Sequence, residues 1–195
     1  MMRALPALCC VLSLALVIPP LAHADDATDQ MQEARKAYEK GDYATALAAL
    51  DAAATLVRQK RVERWQSLLP DPLSGWQAED ARTTTLSPAV LGGGTTISRS
   101  YHRGADSVDV SLVLDSPIMQ GLGNLMTNPF FSSNDVKVLV IDGRKATYTK
   151  SDNSFQVMVL NKVLVTVKGG PTVGEDTLKA YLAAIKFPEI EKNAQ

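Results

Sequence analysis

The chain has 195 residues with 20 basic and 21 acidic side chains, and its formal net charge is −1. This balance predicts no basic surface for a nucleic acid. The two cysteines, Cys9 and Cys10, lie in an apolar run near the N-terminus. The remainder of the chain therefore offers neither a disulfide framework nor a thiolate.

Residues 1–24 have the features of a cleaved signal peptide. Arg3 supplies a positive charge, residues 5–21 are mostly apolar, and Ala22-His23-Ala24 fits the small-residue cleavage pattern. Prolines interrupt the apolar run, which is short for a membrane span of about 20 residues. We predict a periplasmic protein whose mature chain, residues 25–195, has no cysteine and no transmembrane segment.

Residues 25–69 are predicted to form a helix hairpin. Residues 26–40 and 44–64 are rich in good helix formers, and Gly41-Asp42 separates them as a turn would. The apolar positions predict a seam between the two helices, made of Met31, Ala34, Tyr38, Tyr43, Ala46, Leu47, Leu50, Ala53, Ala54 and Val57.

The stretch "EARKAYEKGDYATALAALDAAATL" resembles a tetratricopeptide repeat over residues 31–58, through the family's small and apolar positions Ala34, Ala46, Leu50 and Ala53 and the turn at 41–43. One copy is present, whereas such repeats usually need neighbours to bury their core. The resemblance implies a hairpin that packs on its own domain or on another protein. We predict that Tyr38, Tyr43 and Leu47 contact a protein partner.

Residues 70–75 are a Pro- and Gly-containing linker, and residues 76–188 are predicted to form an antiparallel α+β domain. Strands of period two are predicted at 95–102, 107–114, 136–141, 145–150, 155–160 and 163–168. Asp142-Gly143 indicates a tight hairpin, and Asn161-Lys162 indicates a second one. Trp65 and Trp76, on either side of the linker, are predicted to pack between the hairpin and the sheet.

The last helix is predicted to cover a meandering sheet of five to seven strands. Thr172 and Glu175 have the spacing of a capping box. Leu178, Tyr181, Leu182 and Ile185 follow at helical spacing, Pro188 is predicted to end the helix, and residues 189–195 to be a frayed tail. This order of elements resembles the small α+β domains of the Mog1/PsbP type, which carries over no site residues.

The stretch "IMQGLGNLMTNPFF" at 118–131 is apolar and rich in methionine and glycine. A helical stripe predicts a crossover segment packed as core; adaptable methionines also suit a pocket lid or a partner surface. If the protein binds an apolar ligand or a partner here, the contacts are predicted at Met119, Leu122, Leu125, Met126, Phe130 and Phe131.

The sequence offers no recognisable catalytic or metal-binding arrangement, and we predict neither an enzyme nor a cofactor. After residue 24 the chain has one histidine, His102, too few nitrogen and sulfur ligands for zinc. The leading hypothesis is a non-catalytic accessory protein of the bacterial cell envelope that acts through protein contacts. One alternative is a carrier of an apolar small molecule or lipid. Another is an enzyme whose site joins distant groups such as His102, Asp109 and Asp115.

Overall fold

The computed structural model describes residues 25–86, 93–116 and 135–195, and these residues divide into two compact units between Leu56 and Val57. The described residues contain four helices and an antiparallel sheet of eight strands. The predicted α+β fold class is therefore confirmed. The predicted linker, residues 70–75, lies inside the second unit rather than between the units.

The first unit is the helix hairpin, with α1 at Asp26–Glu39 and the start of α2, which runs over Tyr43–Gln66. Both predicted helices are confirmed. The seam between them is different from the predicted one, because the buried hydrophobic side chains of this unit are all alanines: Ala27, Ala34, Ala37, Ala46, Ala49 and Ala53.

Six large apolar residues predicted for that seam are exposed, and this part of the prediction was wrong. Their side chains retain 47–66% of their accessible surface: Met31, Tyr38, Tyr43, Leu47, Leu50 and Val57. Alanines at positions i, i+3 and i+7 of α2 provide a face of small side chains. Small side chains let two helix axes approach more closely than large ones do, because the axial distance depends on the side chains at the contact. The large side chains consequently occupy the outer faces.

The second unit contains the sheet. Its strands are β1 Gln77–Ala78, β2 Arg82–Leu86, β3 Gly94–Arg103, β4 Asp106–Leu114, β5 Val136–Ile141, β6 Arg144–Thr149, β7 Ser154–Val159 and β8 Val163–Gly169. All six predicted strands are present within two residues of their predicted ends. β1 and β2 were missed because they are short and polar, and lack a period-two apolar pattern.

The strands are not arranged in chain order. The order across the sheet is β1-β3-β4-β8-β7-β6-β5, and β2 pairs with the same side of β3 as β1 does. β5 to β8 form the predicted meander, whereas β4 pairs with β8, the last strand of the chain. This long-range pairing leaves β5 at one edge of the sheet.

One face of the sheet carries the core. Alternate residues of β4 and β8 point toward it and are fully or almost fully buried, including Val110, Leu112 and Val165. Helix α3, at Glu175–Ala183, and helix α4, at Phe187–Ala194, contribute buried side chains to the same cluster and contact β7 and β8. The sheet therefore has one covered face, as its alternating pattern predicts.

An aromatic group closes the core near the end of β3. Tyr101 is fully buried, its ring lies 4.7 Å from that of Tyr181, and its hydroxyl donates a 2.6 Å hydrogen bond to the carbonyl of Pro70. Trp76 packs edge-on to Tyr181, and Arg103 lies 4.7 Å from the Trp76 ring centre. Trp76 is thus a core residue of the second unit, to which Trp65 also belongs.

The two predicted hairpin turns differ in outcome. Asp142 and Gly143 both have positive φ and join β5 to β6 through a two-residue turn, as predicted. The second connection has three residues, 160–162, and includes the predicted pair, because Val159 pairs with Val163. Leu160 and Asn161 adopt positive φ values; leucine seldom does so, and the sequence therefore did not indicate that the turn begins at Leu160.

The C-terminal region contains two further corrections. The predicted capping box does not form: Gly174 is the N-cap of α3, and the Thr172 hydroxyl instead donates a 2.7 Å hydrogen bond to Asp106. Pro188 does not end the preceding helix but lies in the first turn of α4, a position that proline suits. Residues 189–194, predicted as a frayed tail, are therefore helical, and Ile190 is fully buried.

Candidate functional site

The turn of the helix hairpin is held by backbone hydrogen bonds and a helix cap. Gly41 has a φ of +77°, its N–H donates to the carbonyl of Tyr38, and the N–H of Asp42 donates to the carbonyl of Ala37. These are the two bonds of a Schellman motif, which ends α1. The Asp42 carboxylate then accepts a hydrogen bond from the backbone N–H of Thr45 at 3.1 Å and caps α2.

The pKa of the Asp42 carboxyl is consistent with its role as the cap of α2. Hydrogen bonds from Thr45 hold the pKa of the Asp42 carboxyl below its usual value, so the carboxylate remains charged at neutral pH. A negative charge at the N-terminus of α2 also interacts favourably with the helix dipole. Hydrogen bonds therefore fix the backbone between α1 and α2 at both of its ends, and the neighbouring side chains project from a defined backbone conformation.

Tyr38 and Tyr43 lie on either side of this turn and contact each other. Their ring centres are 5.6 Å apart in an edge-to-face arrangement, and their exposures are 66% and 62%. Leu47, one helical turn beyond Tyr43, is 64% exposed. We call these three residues the hairpin tip. They are the residues for which the sequence predicted partner contact, and they lie in the most exposed part of the first unit's apolar surface.

The exposed apolar surface extends beyond the hairpin tip. Met31 lies two turns before Tyr38 on α1, and Leu50 lies two turns after Tyr43 on α2; their exposures are 48% and 51%. Both residues were predicted to lie in the seam between the two helices. The spacing of the alanines in α1 and α2 could have identified the true interior, since six alanines recur at helical intervals there.

The structure does not describe the second segment that was predicted to contact a ligand or a partner. Residues 118–131, with the predicted contacts Met119, Leu122, Leu125, Met126, Phe130 and Phe131, lie outside the described residues. Their assignment to core, lid or partner surface stays a prediction.

One pocket of about 440 Å³ lies in the second unit beyond the end of β4. Arg61 and Asp115, which both line it, form a 2.6 Å ion pair, and Lys162 donates to the carbonyl of Ala194 at 2.8 Å. Its lining mixes charged groups, among them Arg61, Asp115 and Lys162, with the apolar side chains of Trp65, Leu114 and Val163.

A second pocket, of about 640 Å³, lies at the opposite end of the same unit. Asn153 organises it: its side-chain amide donates to the carbonyls of Gly170 and Val173, and its side-chain oxygen accepts from Tyr148. The charged groups that line the pocket have both signs: Asp109, Lys150, Asp152, Lys168 and Glu175. The carrier hypothesis places its cavity against residues 118–131, which lie outside the described residues, so it stays a prediction.

The groups considered for catalysis do not converge. The imidazole of His102 lies 2.9 Å from the Glu79 carboxylate, while Asp109 accepts a hydrogen bond from Ser100. Asp115 follows the far end of β4, six residues from Asp109, which corresponds to about 20 Å of strand. His102, Asp109 and Asp115 therefore have separate partners and do not form one site.

Within residues 25–86, 93–116 and 135–195, no three histidine, cysteine, aspartate or glutamate side chains are grouped so that they could hold a metal ion. In the same ranges no helix combines the length and hydrophobicity needed to cross a membrane.

Comparison of the chain with protein-family models, with curated proteins and with solved structures finds no match. The protein is therefore classified by its structure alone, as an α+β protein with a capped helix hairpin whose tip is apolar and exposed. The resemblances to a tetratricopeptide repeat and to Mog1/PsbP-type domains stay predictions.

Proposed function

We propose that this protein is a non-catalytic accessory protein of the bacterial cell envelope, and that it binds a protein partner through the hairpin tip. The observation that carries the proposal is the exposure of Tyr38, Tyr43 and Leu47 beside a turn whose backbone is fully specified. Exposed apolar surface that forms a contiguous patch is characteristic of interaction sites.

The chemistry of the hairpin tip suits a protein partner. Tyrosine is enriched at binding hot spots, because it presents a large apolar ring and a polar hydroxyl. Full burial of one large side chain contributes about 1.5–3 kcal/mol. The neighbouring Glu39, Lys40 and Asp42 are exposed and charged, and would form the polar rim of such an interface.

The compartment is proposed from the first 24 residues. Their positive, apolar and small-residue segments are typical of a secretory signal peptide, and this pattern supports a periplasmic location for the mature chain. A partner would then be an envelope protein.

Site-specific photo-crosslinking in the intact envelope tests the proposal. A photoreactive residue replaces Tyr43 or Leu47, and the matched control replaces Ala48, which is also exposed but lies outside the stripe of Tyr43, Leu47 and Leu50. We expect one discrete adduct from positions 43 and 47 and none from 48. Equal labelling from all three positions would show random encounter and contradict the proposal.

Affinity for the protein found in that adduct provides the quantitative test. Tyr38→Ala and Tyr43→Ala should each weaken binding about thirtyfold, which corresponds to about 2 kcal/mol at a hot-spot residue. Ala48→Ser serves as the control and should leave binding unchanged. Unaltered affinity in the Tyr38→Ala, Tyr43→Ala double variant would remove the hairpin tip as the binding site.

A further inference from the structure

The strand β5 forms one edge of the described sheet. β5 is the last strand along the sheet, and within residues 25–86, 93–116 and 135–195 no strand pairs with its outer edge. Its sequence, VKVLVI, contains three valines and one isoleucine, which favour strands, and one charge. Natural proteins usually protect such an edge with charges, proline or bulges, because its unpaired backbone groups can bind another strand.

The turn determines which backbone groups of β5 face outward. Asp142 and Gly143 form a two-residue turn with positive φ, so Ile141 and Arg144 are the hydrogen-bonded pair that closes the hairpin. Hydrogen-bonded and non-hydrogen-bonded pairs alternate along an antiparallel ladder. Lys137, Leu139 and Ile141 therefore bond to β6, whereas the three valines Val136, Val138 and Val140 direct their N–H and C=O groups to the open edge.

The same three valines carry their side chains away from the core. Leu139 and Ile141 pack against the core cluster, so the alternate residues of β5 lie on the face opposite to it. Val138 is 48% exposed and Val140 is 74% exposed. Val138 and Val140 thus combine exposed apolar side chains with backbone groups that no described strand pairs with, and such an edge can accept an added strand.

The pattern of β5 is complementary to itself. In an antiparallel pair of two β5 strands related by a two-fold axis at Val138, Val138 lies opposite its own copy and Val136 lies opposite Val140. All three valines of each strand then form hydrogen-bonded pairs, and Lys137 lies opposite Leu139. An axis at Lys137 would instead place two lysines opposite each other, which is destabilising.

We propose that β5 pairs with β5 of a second copy of this chain, in antiparallel register about Val138, and extends the sheet across a two-fold axis. The shared row of six valines would lie on the face opposite the helices. Pairing of one strand of this length buries less than the roughly 1,200 Å² of a stable standard interface. The dimer is consequently weak and depends on protein concentration.

Disulfide trapping tests this register directly. Opposite residues of a hydrogen-bonded pair have Cα atoms about 5.5 Å apart, within the range of roughly 4.4–6.8 Å that a disulfide spans. In full-length protein with Cys9→Ser and Cys10→Ser, which removes the two native cysteines, Val138→Cys should give a covalent dimer under mild oxidation.

Two matched variants distinguish the register from chance collision. Val140→Cys is more exposed than position 138, but its two copies would be about 13 Å apart along the strands, so it should not cross-link. The Val136→Cys, Val140→Cys double variant should cross-link again, because these positions are opposite. Cross-linking of Val140→Cys as efficiently as Val138→Cys, or of neither, overturns the proposal.

Sedimentation velocity of the unmodified protein provides the second measurement. The sedimentation coefficient should rise with concentration, and Val138→Pro should abolish that rise. Proline is tolerated on an edge strand where its missing N–H faces outward, so β5 can still pair with β6 in this variant. A monomer at all concentrations overturns the proposal, whereas the Tyr38→Ala, Tyr43→Ala variant of the hairpin tip should dimerise normally.

Discussion

The two units of this protein distribute their side chains in opposite ways. In the hairpin the buried hydrophobic residues are alanines, and tyrosine, leucine and methionine lie outside; in the sheet unit the fully buried residues include Tyr101, Phe155 and Leu182. Burial of a methyl group contributes about 0.8 kcal/mol, against about 1.5–3 kcal/mol for a large side chain. The sheet unit therefore gains most of its stabilisation from large buried side chains, whereas the hairpin buries only alanines and leaves its large apolar side chains exposed.

The largest effect is expected where the sheet unit buries an aromatic ring. Phe155→Ala removes a fully buried side chain that packs 4.7 Å from the Tyr148 ring, and should lower the free energy of unfolding by about 3–5 kcal/mol. Both tryptophans belong to this unit, so their fluorescence during urea unfolding reports on it. Val140→Ala, at a 74% exposed position, is the control. Similar losses in the two variants would contradict the assigned core.

The alanine seam of the hairpin allows a comparison of neighbouring positions. Ala49 is 6% exposed and Ala48 is exposed. Ala49→Leu should destabilise the hairpin by about 1–3 kcal/mol through overpacking, whereas Ala48→Leu should change stability by less than about 0.5 kcal/mol. Hydrogen exchange of amides in residues 26–56 measures both. Equal protection in the two variants would mean that the helices do not approach each other along this seam.

A buried hydroxyl of the sheet unit gives a smaller effect that depends on pH. Tyr101→Phe leaves the Pro70 carbonyl without its hydrogen bond and should cost about 1–3 kcal/mol. Burial raises the pKa of Tyr101 from 10.0 to about 12. Between these values the unfolded chain has lost the proton and the folded chain has not, so the stability from this group falls as pH rises.

This titration is measured as a difference between the two proteins. The advantage of the wild type over Tyr101→Phe should be constant below pH 10 and should decrease between pH 10 and about 12. Urea unfolding followed by tryptophan fluorescence at several pH values gives this difference, in which the titrations of the other tyrosines and the lysines cancel. A difference that grows with pH would be contrary to the assigned burial.

The smallest effect is expected at an exposed polar contact. Hydrogen bonds from Thr172, and then from Arg103, hold the pKa of the Asp106 carboxyl below its usual 3.8. Thr172→Val should raise that pKa toward 3.8, and Thr172→Ser should restore the low value; carboxyl NMR titration measures both. Since the folded pKa is lowered, the contact contributes above the unfolded pKa and is lost as pH falls through the folded pKa. An unchanged pKa in Thr172→Val would assign the shift to Arg103.

Much of the fold was predictable because its patterns are local. Helix formers on both sides of Gly41-Asp42 predicted the hairpin, and alternation predicted six of the eight described strands. The sequence placed Tyr38, Tyr43 and Leu47 in the seam and also proposed them for partner contact; their exposure corrects the first assignment, and the second stays a prediction. Hydrophobicity alone could not choose between two faces of a helix when alanine and leucine both recur on it.

The sequence by itself determined the elements of this protein: two helices joined by a capped turn, an antiparallel set of strands and a signal-like N-terminus. Only the tertiary structure decided that alanines fill the helix seam, that Thr172 bonds to Asp106 rather than capping α3, and that β4 pairs with β8 so that β5 becomes an edge. Local patterns show which secondary structure each segment of the backbone favours. Contacts between residues far apart in the chain decide which face of an element is buried and which strand lies at the edge of the sheet.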